Sequence, residues 1–68
     1  MKITLKTGRK EGFVSSWNLF FDNGLRLQTI DLTFRSTDEV DETFTQFCEI
    51  VEVLRAAGFE IDGEMVRR

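Results

Sequence analysis

The fold is decided by residues 36–58, which read STDEVDETFTQFCEIVEVLRAAG. Ser36 stands where a helix N-cap is expected, and Glu39 follows three residues later, the spacing of a capping box. The carboxylates among residues 38–42 crowd the first turns of the helix, where the helix dipole favours negative charge. Gly58 is typical of the residue just beyond a helix C-terminus, and Arg55 lies in the last turn before it. These signals predict one long helix.

One face of this helix is apolar. Its side chains recur at steps of four, three, four and three residues, which places them in one stripe at about 100° per residue. Ile50 and Ala57 widen the stripe on one side, and Cys48 widens it on the other. The stripe predicts that the helix packs against a sheet formed by the preceding residues. Its members are Val40, Phe44, Phe47, Val51 and Leu54.

The opposite face of the helix is acidic. Five carboxylates project within about 100° of one another on the helical wheel, and we call them the acidic ridge. They have two interpretations: a solvated face made of good helix formers, or a surface that binds a positively charged partner. The acidic ridge consists of Asp38, Asp41, Glu42, Glu49 and Glu52.

Three strands are predicted before the helix. Residues 1–6 alternate between apolar and polar side chains, as a half-buried strand does, and residues 7–12 form a polar turn with two glycines. Residues 13–22 and 25–35 are the second and third strands. Between them lies Asn23-Gly24, the typical sequence of a two-residue type I′ hairpin turn. The sequence therefore predicts an antiparallel meander of three strands.

A two-residue turn at this position fixes which side chains share each face of the sheet. The helix-facing side is predicted to hold Phe13, Trp17, Leu19, Phe21, Ile30, Leu32 and Phe34. The other side is predicted to carry an exposed cluster that we call the apolar hairpin tip, a candidate contact for a partner or a second copy. A bulge near residues 28–29 would change this assignment. The tip consists of Phe20, Leu25 and Leu27.

After the helix, residues 59–61 predict a short strand, which residues 65–66 resume. A right-handed crossover makes it parallel to the third strand, and we expect it beside the first strand, in the order 3-2-1-4. The whole prediction is an α+β fold with the element order βββαβ, in which residues 1–68 form a single small domain.

Composition narrows the possible functions. The chain has 68 residues, one Cys, no His and a net charge of −3. An internal disulfide and His-based metal binding or catalysis are therefore excluded, and no apolar run approaches the roughly 20 residues of a membrane span. Residues 60–64 lack the ligand series of a calcium loop, and a Ser or Cys nucleophile would have no His partner. We expect a cytoplasmic protein that is not an enzyme and has no cofactor or metal.

The preferred functional hypothesis is a noncatalytic protein-protein interaction module. Its contact surface would be the acidic ridge, the apolar hairpin tip, or both, and the tip would also suit a homodimer. In one version the ridge imitates nucleic-acid phosphates and occupies a basic groove on a nucleic-acid-handling protein. In size and charge the chain is similar to small acidic inhibitors encoded by phages and mobile elements.

The alternative hypothesis is a nucleic-acid-binding domain that uses the outer face of the sheet. Three antiparallel strands followed by a helix resemble small DNA-binding domains that lay a three-stranded sheet into the major groove. The negative net charge favours the protein-binding hypothesis over this one. The phosphate contacts expected from the alternative are Lys2, Lys6, Arg9, Lys10 and Arg35.

Overall fold

The computed structural model describes residues 1–67 and contains a four-stranded mixed sheet and one helix. The sheet order is β3-β2-β1-β4, with β1–β2 and β2–β3 antiparallel and β1–β4 parallel. This confirms the predicted α+β class, the element order βββαβ and the strand order. The elements are β1 (Lys2–Lys10), β2 (Phe13–Phe21), β3 (Arg26–Asp31), α1 (Thr37–Ala56) and β4 (Glu60–Asp62).

Both ends of α1 are capped as the sequence predicts. The Ser36 hydroxyl accepts a hydrogen bond from the Glu39 N–H, and the Glu39 carboxylate accepts one from the Ser36 N–H, each at 3.2 Å. At the other end Gly58 has a φ of 100°. Its N–H donates to the Arg55 carbonyl at 3.0 Å, while the Phe59 N–H donates to the Leu54 carbonyl at 3.1 Å. This pair of bonds is a Schellman motif, so the helix ends where the chain must turn back to β4.

The core lies between α1 and the sheet and centres on Trp17. Its ring centroid is 5.5 Å from that of Phe44 and 6.1 Å from that of Phe47, which confirms the predicted packing of the helix stripe on the sheet. The Trp17 indole N–H donates to the Val66 carbonyl at 2.8 Å, so the C-terminal segment closes over the core. The buried apolar residues are Ile3, Leu5, Trp17, Leu19, Leu32, Phe47 and Val51.

The first hairpin differs from its prediction. β1 continues through the expected polar turn to Lys10, and only Glu11 and Gly12 remain in the turn. Their φ values are 53° and 83°. Positive φ at both central residues is the type I′ geometry that the sequence predicts at Asn23-Gly24.

A bulge in β2 then changes which side chains face the helix. Gly8 pairs with Ser16 but Arg9 pairs with Val14, so one residue of β2 has no partner on β1. An extra residue reverses the alternation beyond it. Val14 therefore packs against the core, and Phe13 is 77% exposed. The predicted place of Phe13 in the core was wrong.

The second hairpin turn is not the predicted two-residue turn. Gly24 has a φ of 85°, whereas Asn23 does not have a positive φ. The Gly24 N–H donates to the Phe21 carbonyl at 2.9 Å, and the Phe21 N–H donates to the Leu25 carbonyl at 2.8 Å. This is a three-residue loop with the glycine in the left-handed position, the next most common hairpin connection.

The longer loop is followed by a bulge in β3. Leu19 still pairs with Gln28, as predicted, but Phe20 pairs with Arg26, which leaves Leu27 without a partner on β2. Residues opposite each other share a face of the sheet. Arg26 therefore joins Phe20 on the outer face, the side of the sheet away from α1.

β3 ends at Asp31, four residues before its predicted end. The Asp31 carboxylate accepts bonds from the Thr33 N–H at 2.9 Å and from the Thr33 hydroxyl at 2.6 Å, and the Arg35 N–H donates to the Leu32 carbonyl at 3.1 Å. These local bonds form a turn in place of more strand. Phe34, at the apex of this turn, is 98% exposed, so its predicted place in the core was also wrong.

The C-terminal strand is displaced by one residue from its predicted position, and residues 65–66 do not resume it. β4 covers Glu60–Asp62, and Gly63 follows with a φ of 110°. A side chain at Gly63 would collide with the Leu5 carbonyl, so the chain passes too close to β1 for any residue but glycine. Residues 64–67 are irregular, and Met65 packs against the core.

Candidate interaction surfaces

The acidic ridge lies on the surface of α1 as predicted. All five of its side chains are exposed. From Asp38 to Glu52 the ridge runs about 21 Å along the helix axis, at 1.5 Å per residue. The apolar stripe opposite holds the helix on the sheet, and the ridge consequently points away from it.

Two of the ridge carboxylates have ion-pair partners. Arg67 lies 2.6 Å from Asp41, and Arg55 lies 2.7 Å from Glu52. Exposed pairs of this kind are worth only about 0–1 kcal/mol, so a partner with several basic groups can replace them at small cost. Within residues 1–67, the remaining three ridge carboxylates make no ion pair; they are Asp38, Glu42 and Glu49.

Charge is segregated between the helix and the rest of the chain. The chain has twelve acidic and nine basic residues. α1 contains six of the acidic residues and one basic residue, a formal charge of −5. The rest of the chain, with six acidic and eight basic residues, carries +2. The protein therefore presents a strongly negative helix on a weakly positive remainder.

The apolar hairpin tip does not form as one cluster. Phe20 is half-buried on the outer face, with the Lys6 ammonium 5.6 Å from its ring centroid. Leu25 closes the turn opposite Phe21 and lines a groove of about 350 Å³ with Phe21 and Met1, so it leaves the face of Phe20. Leu27 is 38% exposed at the bulge. The longer turn and the bulge are the physical reason for this correction.

The outer face of the sheet carries a different set of basic residues from the predicted one. Arg35 is directed to the helix side, because its guanidinium donates to the Thr43 hydroxyl and to the Asp31 carbonyl, each at 3.1 Å. Arg9 pairs with Val14 and so shares the helix-facing side. The pairing brings in Arg26, which the sequence did not indicate. The basic residues of the outer face are Lys2, Lys6, Lys10 and Arg26.

Two exposed aromatic residues were missed. Phe13 lines a groove of about 490 Å³ together with Val14, Leu32 and Val40, at the end of the sheet where α1 begins. Phe34 projects from the neighbouring turn. The sequence held one usable signal for Phe34, since Asp31 followed two residues later by Thr33 is a common turn pattern. The bulge that exposes Phe13 lies opposite Gly8, where a Cβ would collide with the Ser16 hydroxyl, so this glycine is its one mark in the sequence.

The one cysteine of the chain, Cys48, is half-buried on α1. Burial raises the pKa of the Cys48 thiol, and the nearby Glu52 carboxylate raises it further, so the thiol is protonated at neutral pH. Among residues 1–67 no group of His, Cys, Asp or Glu side chains is placed to hold a metal ion. Across the same residues, no helix combines the length and apolar character needed to cross a membrane.

Comparison of the chain with protein-family models, with curated proteins and with solved structures gives no match.

Proposed function

We propose that this protein is a noncatalytic protein-binding module whose contact surface is the acidic ridge of α1. The partner would be a nucleic-acid-handling protein with a basic groove, and the module would act as a small acidic inhibitor of the phage or mobile-element type. The observation that carries the proposal is the separation of charge, −5 on α1 against +2 elsewhere.

The spacing of the ridge supports this choice of partner. One DNA strand carries a phosphate every 3.4 Å or so, which gives about six charges over 21 Å. The ridge offers five carboxylates over the same length. Its charge density thus matches one strand better than a duplex, which carries twice as many. A groove that follows a single nucleic-acid backbone is the best fit.

The test reverses charge on the ridge without touching the fold. Glu42 and Glu49 are exposed, and neither has an ion-pair partner within residues 1–67. We expect Glu42→Lys with Glu49→Lys to lose the partner that wild-type protein captures from its native cell. The control is Glu60→Lys with Glu64→Lys, which makes the same change in net charge at exposed positions away from the ridge. Circular dichroism would verify that both variants are folded.

Two further measurements test whether the partner binds the ridge through its nucleic-acid-binding groove. Binding of the captured partner should weaken steeply as salt rises, because exposed charges are screened within about 8 Å at physiological ionic strength. Single-stranded DNA should compete with the wild-type protein for the partner. Equal loss of binding in the ridge variant and its control, or no competition, would overturn the proposal.

A second candidate function rests on the outer face of the sheet. No helix of the described chain covers this face. It carries Lys6 and Arg26 beside Phe20, and Lys10 lies on the same face at the far end of β1. Basic residues beside aromatic rings suit the backbone and bases of nucleic acid. Lys6→Glu with Arg26→Glu should then abolish binding to a mixed-sequence DNA, while reversal of the ridge should leave that binding intact or strengthen it. Absence of any DNA binding by the wild type would refute this candidate.

A further inference from the structure

We infer that a second copy of this chain pairs with the exposed edge of β3, so that two four-stranded sheets join into one antiparallel sheet across a two-fold axis. This inference concerns a surface separate from the acidic ridge and does not depend on the proposed function.

The edge of β3 has backbone groups available for pairing. β3 ends the sheet on one side, and its six residues make it twice as long as β4 at the other edge. The Leu32 N–H donates to the Ser15 carbonyl. Because inward and outward bonding alternate along a strand, Gln28 and Ile30 bond to β2, and Thr29 and Asp31 direct their backbone groups outward. Of these groups, the Asp31 carbonyl accepts a hydrogen bond from the exposed Arg35 side chain at 3.1 Å. Neither proline nor lysine, the usual protectors of an edge, occurs in β3.

Symmetry restricts how two such edges can pair. A two-fold axis perpendicular to the sheet keeps each residue on its own face, so only residues of the same face stand opposite each other. With Thr29 on the axis, it faces Thr29 of the second copy, and Leu27 faces Asp31. The Thr29 N–H and carbonyl are then both used, and the Leu27 N–H of the second copy replaces the Arg35 side chain at the Asp31 carbonyl. A shift by one pair in either direction leaves one of these residues unbonded.

Side chains on both faces complement this register. On the outer face, Arg26 of one copy lies one residue from the position opposite Asp31 of the other, so opposite charges come together. On the helix side, Gln28 stands opposite Ile30. The two ends of β3 are thus complementary to each other, which favours a second copy over an unrelated peptide.

The flank of α1 above β3 is apolar and exposed. Ile50 is 42% exposed and Val53 is 67% exposed. The opposite flank is the one that faces the C-terminal segment, because Cys48 and Arg55 line a groove with residues 63–65. Ile50 and Val53 therefore face the side on which the second copy adds its strand. The acidic ridge points away from the sheet, so two ridges are not brought face to face.

The register gives a sharp crosslinking test. Thr29 and Thr29 of the second copy would form a hydrogen-bonded antiparallel pair, whose Cα atoms lie about 5.5 Å apart. This distance is within the range of about 4.4–6.8 Å that a disulfide spans. In a Cys48→Ala background, Thr29→Cys should form a covalent dimer on mild oxidation. Thr4→Cys, in the interior of the sheet, and Thr45→Cys, on the exposed helix face, are the controls and should remain monomeric. Dimer formation at the same rate in all three would overturn the inference.

A second pair of measurements uses proteins without added cysteine. Wild-type protein should show concentration-dependent dimerisation in sedimentation equilibrium, and Thr29→Lys, which puts two like charges on the axis, should be monomeric with a native circular dichroism spectrum. Thr29 also donates a hydrogen bond to Asn18 at 3.1 Å. Asn18→Ala, which removes this bond alone, should still dimerise. A monomeric wild type at millimolar concentration, or a dimeric Thr29→Lys, would overturn the inference.

Discussion

Phe47 and Phe34 form a matched pair that tests the packing of α1 on the sheet. Phe47 is 1% exposed and lies against Trp17, with ring centroids 6.1 Å apart. Phe34 is 98% exposed. Both are replaced by alanine, so the two variants differ from wild type by the same atoms. The sequence pattern predicts that both residues lie in the core, whereas in the structure only Phe47 does.

The expected difference is large. Truncating a buried phenylalanine to alanine costs about 3–5 kcal/mol through lost transfer energy and the cavity left behind. A domain of this length has a total stability of about 3–10 kcal/mol, at 0.05–0.15 kcal/mol per residue. Phe47→Ala should therefore lose a third of the stability or more, or unfold outright. Phe34→Ala should change stability by less than about 0.5 kcal/mol, as exposed substitutions do.

Urea unfolding followed by tryptophan fluorescence measures both variants. The chain has one tryptophan, and it is fully buried, so its emission reports the core directly. The denaturant slope of Phe34→Ala should equal that of wild type, which shows that the unfolding reaction is unchanged. Comparable losses from the two substitutions would refute the observed end of β3 and return Phe34 to the core.

Three other predictions follow from particular contacts. Gly63→Ala should destabilise more than Gly24→Ala in thermal melts, because both need positive φ but only an alanine at 63 meets the Leu5 carbonyl. Deleting residues 65–68 should cost about 1–3 kcal/mol and shift tryptophan emission to the red, because the buried indole N–H loses its acceptor. The backbone and hydroxyl of Ser36 hold the pKa of Glu39 below its ordinary value. This contribution is full above the ordinary pKa and lost as pH falls through the folded pKa, so Glu39→Gln should flatten that part of a melting-versus-pH curve.

The helix and the strand order could be predicted because their signals extend over many residues. The capping box, the Schellman glycine and five apolar positions along α1 agree with one another, and an error at one position leaves the others intact. The strand order follows from crossover handedness and the short connections. The exposure of the acidic ridge was predictable for the same reason, since a helix without interruption keeps its period from Asp38 to Glu52.

The faces of the sheet could not be predicted beyond the first irregularity. A strand has a period of two, so a single unpaired residue exchanges the two faces for everything beyond it. One unpaired residue in β2 moves Phe13 outward and Val14 inward. In β3 the unpaired Leu27 moves Arg26 to the outer face and Leu25 to the helix-facing side. The bulge in β2 lies opposite Gly8, a glycine that the sequence prediction placed in a turn, and β3 contains no glycine or proline to mark the bulge at Leu27.

The same two bulges shape the surfaces on which the functional hypotheses depend. Without the bulge at Leu27, Arg26 would pair with Phe21 beneath the helix, and the outer face would lose one of its four basic residues. Beyond the bulge β3 keeps its predicted register, in which Thr29 and Asp31 direct their backbone groups to the open edge and the Asp31 carbonyl accepts a bond from Arg35. Bulges bend and twist an edge strand and in many proteins protect it from pairing. Here the bulge lies at the hairpin end, and the four residues beyond it remain regular, so it leaves the middle of the edge straight around Thr29.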